Sequence, residues 1–153
     1  MIDNFRGEYY FLSNFFPTPI WLGGREYKTV EHFYQANKAE SLILHEYIRN
    51  AVSPEEAKKR GKEVAKRADW ENVKLQIMGL GLILKFDIVD LGDMLLATGE
   101  EELVEGNTWG DTYWGVCNGV GENHLGKTLM TVRDQIIERR CLQVTYTGTQ
   151  NVE

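Results

Sequence analysis

The chain has 153 residues, 42% of them hydrophobic, with a net charge of -6 and a pI near 5.2. This length supports one core and leaves no room for a second domain, and the acidic balance argues against a protein that coats nucleic acid or membranes, although a local basic patch stays open. Cys117 and Cys141 lack metal or redox spacing, the three histidines form no paired motif, and the polar, aromatic N-terminus is no signal peptide, so no metal site and cytoplasmic residence are expected.

Near the N-terminus, Tyr9 to Leu12 reads as a short strand, and Ile20–Leu22 pairs with Arg25–Tyr27 across Gly23-Gly24 as a hairpin. Between them, Ser13 and Asn14 either cap backbone groups in a turn or point at sugar hydroxyls and phosphate. Arg6, beside Gly7, is either a phosphate ligand or a surface cation. Thr29 caps a helix from Val30 to about Lys38 that places Glu31, Gln35 and Lys38 on one face, at the edge of the core. Taken alone, Glu31 is a first-turn carboxylate favoured by the helix dipole and Lys38 an exposed lysine.

Ser53-Pro54-Glu55-Glu56 is a capping box that opens a helix to about Arg67, with small residues Ala57, Gly61 and Ala65 for close packing and a solvated cationic face. Asp69 caps the next helix, which begins at Trp70. Its two apolar stripes, Val73, Ile77, Leu80 and Leu84 and then Leu75, Met78 and Leu82, predict a central, nearly surrounded element. A further helix spans Asp87 to Leu96 and stops at Thr98-Gly99; Leu103 to Glu105 reads as a short strand.

From Gly106 to Gly126 run six of the fifteen glycines and two of the four tryptophans, with Asp111 between the aromatics. Such a loop suits a ligand whose base stacks on Trp109 or Trp114, although Trp109 is equally well a core residue. Cys117 is read as a buried free thiol, since no histidine is evident to activate it as a nucleophile. Asn123 caps a helix with Leu125, Leu129, Val132 and Ile136 at spacings of four, three and four, and the amides at that helix start would attract an anion. Residues 121–128 satisfy the phosphate-loop pattern G-x-x-x-x-G-K-[ST], but no buried strand precedes them and only twenty-five residues follow. The tail after Arg140 is either an edge strand or disordered.

Together the blocks FRGEYYFLSNF, TVEHFYQANKA, AKKRGKEV, DWENVKLQIMGLGLILKF, LLATGEEELVEG and GDTYWGVCNGVGENHLGKTLMTVR resemble the YbiA-like, or NADAR, family, in the family's order and over roughly residues 5–135. Members are N-glycosidases acting on phosphorylated ribosylamino-pyrimidine intermediates of riboflavin biosynthesis, and relatives remove ADP-ribose from guanine. The resemblance implies matching functional positions at Glu31, Lys38, Trp70 and Asp111. Residues 117–118 and 122–124 decorate the glycine loop and leave substrate choice open.

That chemistry develops positive charge at the anomeric carbon and negative charge on the leaving nitrogen, which Glu31 and Asp111 would serve as a carboxylate pair. Lys38 would exchange onto an opened imine, Trp70 or Trp114 would stack the base, and Arg6, Gly7, Ser13, Asn14, Gln35, Gly115 and Asn123 would contact the substrate. No cofactor is implied. The partner is a phosphorylated ribosylamine or ADP-ribosyl substrate, with local contact to ADP-ribosylated nucleic acid left open, and the oligomeric state is not legible. A non-catalytic ADP-ribose or NAD reader is the alternative. The expected fold is one compact α+β domain, mostly helical, with a small antiparallel sheet from the N-terminal region and residues near Leu103.

Overall fold

Short elements closed by their own capping side chains build the computed structural model, which describes residues 1–149. Its contacts divide the chain into two units, Asn4–Lys85 and a second made of Met1–Asp3 with the chain from Phe86 onward. The architecture is α+β and predominantly helical, with a small antiparallel sheet. Among the described residues no helix is long and apolar enough to cross a membrane.

In the first unit the hairpin forms as the sequence requires. Strands β1 (Ile20–Leu22) and β2 (Arg25–Tyr27) pair in antiparallel register, and Gly23 and Gly24 both take positive φ, 59° and 75°, the tight turn that matches strand twist. Upstream, the expected strand is a 3-10 helix, Gly7–Leu12. The run Tyr-Tyr-Phe-Leu is too short for periodicity to choose, and adjacent burial of Phe11 and Leu12 beside an exposed Tyr10 is incompatible with strand alternation.

Four helices follow in this unit. Thr29 caps α1 (Val30–Asn37), accepting a hydrogen bond from the His32 amide, as expected. Ser41 caps α2 (Leu42–Arg49) in the same way through the Leu44 amide, a helix not expected from the sequence. Ser53 caps α3 (Pro54–Glu63) through Glu56, and the helix stops short of Arg67 because Val64 turns extended and Lys66 pairs with Ala39. Helix α4 is Trp70–Phe86. The Asp69 carbonyl accepts from Asn72 and Val73, while the Asp69 carboxylate grips Arg67 at 2.6 and 3.0 Å.

The most enclosed helix is α1, where every residue from Val30 to Ala36 is buried. Helix α4 is one-sided instead, with Met78 and Leu82 buried and Leu75 and Leu80 exposed by 41% and 38%. Gly81 brings α4 up to α1: a Cβ there would lie 2.9 Å from the Phe33 ring and 3.3 Å from Val30.

In the second unit, α5 (Val89–Leu96) ends before Gly99 at φ 61°. Helix α6 runs His124–Thr149 and buries Leu125, Leu129, Val132 and Ile136, the expected stripe. The tail after Arg140 thus continues a helix, neither strand nor disorder, as far as Thr149; residues 150–153 lie outside the described ones. Leu103 forms a parallel bridge to Ile2 in place of an antiparallel strand, and β3 (Gly106–Asn107) pairs in parallel with β4 (Val116–Cys117). Trp109 is 55% exposed, so it is not core, and Cys117 is a half-buried free thiol.

The hinge of this unit is Asn123, whose carboxamide accepts from the Glu105 amide at 3.0 Å and donates to the Leu103 carbonyl at 2.9 Å. Asn123→Ala leaves both backbone groups without that partner in a buried place. It should lower unfolding stability by about 1–3 kcal/mol in chemical denaturation, against a change near zero for the exposed Lys127→Ala.

Candidate active site

On α1, spacing becomes chemistry. Glu31, Gln35 and Lys38 form a hydrogen-bonded row: Gln35 Nε2 donates to Glu31 Oε1 at 2.8 Å, and Lys38 Nζ donates to Gln35 Oε1 at 3.3 Å. Glu31 and Gln35 are buried and Lys38 is half-buried, so the row lies deeper than the core edge expected for it. The helix start is pinned from outside, since the Glu31 amide donates to the Asn14 carbonyl at 3.1 Å. The other end is pinned too: Arg67 N donates to the Lys38 carbonyl at 3.0 Å, and Glu40 N to the Ala65 carbonyl at 3.1 Å.

Burial lowers the Lys38 pKa from its ordinary value, and Lys66 and Lys62 push the same way against Glu31 and Glu71. A half-buried amine depressed by its surroundings is more available as a nucleophile at neutral pH than a surface lysine. Beside this end of α1 opens a cavity of about 470 Å³, lined among others by Asn37, Ala39, Ser41, His45 and Arg67. Two of those residues flank Lys38 in the chain.

The other positions in this unit divide. Asn14 is buried, with Nδ2 donating to Met78 Sδ at 3.3 Å, and Ser13 Oγ accepts from the Phe15 amide at 3.1 Å, which is the turn-capping alternative for Ser13. Arg6 and Gly7 are exposed at the entry to the 3-10 helix, Gly7 with φ 55°. Trp70 is only 3% exposed and packs on Tyr34, with ring centroids 5.0 Å apart, which makes it a packing residue and not an open stacking face. Lys85 was not singled out in the sequence, yet it is fully buried, and its Nζ donates to the Ser13 carbonyl at 2.8 Å. A lone lysine inside the apolar run GLGLILKF was the available signal.

Asp111, Trp114, Gly115 and Asn123 belong to the second unit and stand on their own terms. Asp111 Oδ1 accepts from the Tyr113 and Trp114 amides at 3.2 and 2.9 Å, while Asn107 clamps the Asp111 backbone from both sides. Trp114 is half-buried, edge-on to Tyr113 with centroids 5.0 Å apart. Gly115 is required by space, because a Cβ would stand 2.2 Å from the Glu105 carbonyl. Asn123 differs from expectation. It takes φ 54° and spends its side chain on Leu103 and Glu105, so it neither caps α6 nor offers itself to a substrate. The amides of Asn123, His124 and Leu125 already donate to the carbonyls of Gly115, Tyr113 and Trp114. The anion site expected at this helix start is therefore filled by the protein's own backbone, and the phosphate-loop pattern is coincidental.

The NADAR domain model matches residues 3–137. The chain is 42% identical over 140 residues to an N-glycosidase of Nostoc punctiforme, covering 87% of this chain and 88% of that protein. It is 35% identical over 132 residues to a riboflavin biosynthesis protein of Vibrio vulnificus, covering 84% of this chain and 36% of that one. The NMR structure of the Escherichia coli protein YbiA is similar at a TM-score of 0.82 and 36% identity, over 92% of this chain and 89% of that chain.

Substitutions at two positions test the local physics. Burial lowers the Lys85 amine from 10.5 to about 7, so between those values the folded protein has shed a proton that the unfolded chain retains. Stability should rise with pH across that window, by at most about 1.4 kcal/mol per pH unit, and the gain should be absent below it, where both states are charged. Lys85→Met should flatten the slope in denaturant midpoints taken from pH 7 to 10; an unchanged slope would assign it to another group. For Asp111, replacement by Asn keeps an acceptor for the turn and should leave thermal stability unchanged, whereas Asp111→Ala should cost about 1 kcal/mol.

Proposed function

The chain belongs to the NADAR domain family, and from that premise we propose that it is an N-glycosidase whose buried Glu31 and depressed Lys38 carry the reaction. The substrate is an N-glycoside in which ribose C1 is joined to an exocyclic amine of a base. Two such classes fit: a phosphorylated ribosylamino-pyrimidine of the riboflavin route and ADP-ribosylated guanine. A single observation supports the assignment best, the hydrogen-bonded Glu31–Gln35–Lys38 row along one face of α1.

An exocyclic-amine glycoside opens to an imine at C1 as the ring oxygen takes a proton. The neutral Lys38 amine adds to C1. The bond from C1 to the base nitrogen then breaks, and the base leaves with its electron pair and a proton. Water hydrolyses the resulting lysine imine to the free sugar and restores the amine. Glu31 exchanges the protons of these steps. Direct attack of water at C1 is the competing route, in which Glu31 activates the water and Lys38 only stabilises charge.

Asp111 enters this proposal as a charge to be tested, since its Oδ1 already holds a turn. The proposal treats the chain as one functional domain and sets the reaction in the cytoplasm, where phosphorylated substrates of these classes are confined by their charge.

Borohydride decides between the routes, because it reduces an imine to a stable secondary amine. Trapping during turnover should add the sugar's mass to the peptide that carries Lys38. Lys38→Arg keeps the charge and should lose both the adduct and about 100-fold or more in base release. Glu31→Gln keeps an acceptor for Gln35 and should lose a similar factor. Normal base release in Lys38→Arg would leave only the water route; normal release in both variants would take the chemistry off α1, and no base release by the wild type would leave a non-catalytic ADP-ribose binder.

A further inference from the structure

Gly61 lies inside α3 and faces the row on α1. A Cβ added there would stand 2.0 Å from Gln35 Oε1, 2.9 Å from its Cδ and 3.2 Å from its Cβ, distances that forbid any side chain while Gln35 keeps its place. Glycine within a helix costs about 1 kcal/mol relative to alanine, and nothing in the α3 backbone calls for it. What fills the space is one carboxamide, whose oxygen accepts from Lys38 and whose nitrogen donates to Glu31. An amide carries no net charge, so it joins the carboxylate and the amine while keeping them two hydrogen bonds apart.

The charges around Lys38 make that separation matter. Lys62 on α3 and Lys66 beyond its end repel the ammonium form, while Glu31 on its own helix and Glu71 on α4 favour it. Closing Glu31 onto Lys38 would strengthen the second pair and hold the amine protonated.

We propose that Gly61 is a positioning residue: the missing side chain on α3 seats Gln35 between Glu31 and Lys38, so that the carboxylate and the amine are bridged by an amide and not closed into an ion pair. This rests on the reading of Lys38 as the reacting amine.

The test follows kcat/KM for base release against pH, with borohydride trapping, in wild type, Gly61→Ala, Gln35→Ala and the double variant. Gly61→Ala should lower neutral-pH activity about tenfold and move the rising limb to higher pH, with activity recovering there. Gln35→Ala should behave alike, and the double variant should match Gln35→Ala alone, because the added methyl then meets no carboxamide and only the Cβ of position 35, 3.2 Å away. That last comparison holds even if Gly61→Ala folds poorly by itself. An unmoved limb in Gly61→Ala, or a double variant in which the two losses simply multiply, overturns the positioning role while wild-type trapping still supports Lys38. Absence of an adduct in wild type overturns the Lys38 reading, and this proposal with it.

Discussion

A helix buried along seven consecutive residues must satisfy every polar group it carries from within, and on α1 these include Glu31, His32 and Gln35. His32 is answered by the Thr29 hydroxyl at 2.8 Å and the Ala51 carbonyl at 3.0 Å, and burial depresses its pKa, so it serves as a neutral strut. Glu31 and Gln35 answer each other, and Lys38 closes the row at the helix end. Phe33 and Val30 fill the space against Gly81 of α4. The arrangement leaves little slack, because a polar group orphaned at this depth would cost more than its hydrogen bond returns elsewhere. The groups proposed to react are therefore held by the same constraint that holds the core.

Legibility followed the range of the interaction. Thr29, Ser53, the Gly23-Gly24 turn and the α6 stripe were readable because each is decided within about four residues. The ranking of helices was not. Helix α4 looks central on apolar count, yet it leaves Leu75 and Leu80 exposed, whereas α1 looks half-polar and is enclosed. Hydropathy counts a buried histidine or glutamine as a surface residue, and only the partner's position corrects that. Helix α2 escaped because the pattern Leu42 to Arg49 keeps just Ile48 buried. Asn123 misled for a related reason: asparagine before an apolar stripe reads as a cap, but positive φ turned its carboxamide toward Leu103 and Glu105.

The candidate site divides along the same line. The co-facial row needed only helical spacing, and the structure added the bonds between its members. That Trp70 is packed, that Asp111 holds a turn and that Lys85 supports the Ser13 carbonyl are long-range or loop facts with no local pattern behind them. Gly61 was legible as small and illegible as to purpose, since the atom it makes room for lies twenty-six residues away on another helix.

One further consequence concerns α6. Ile136 is its last buried side chain among the described ones, and every described side chain from Ile137 to Tyr146 is exposed; Arg139 and Arg140 reach back to Asp87 and Asp93 by exposed ion pairs, and beyond them helical geometry continues to Thr149. A single unbroken helix is thus two different objects energetically. Its first half opens only when the unit opens, while its second half, with the side chains of Ile137 to Tyr146 exposed, draws far less of its stability from the core. Amide hydrogen exchange along α6 would consequently fall as a gradient with its knee near Arg140, and a label or fusion placed beyond that knee would report on the solvent and leave the core undisturbed.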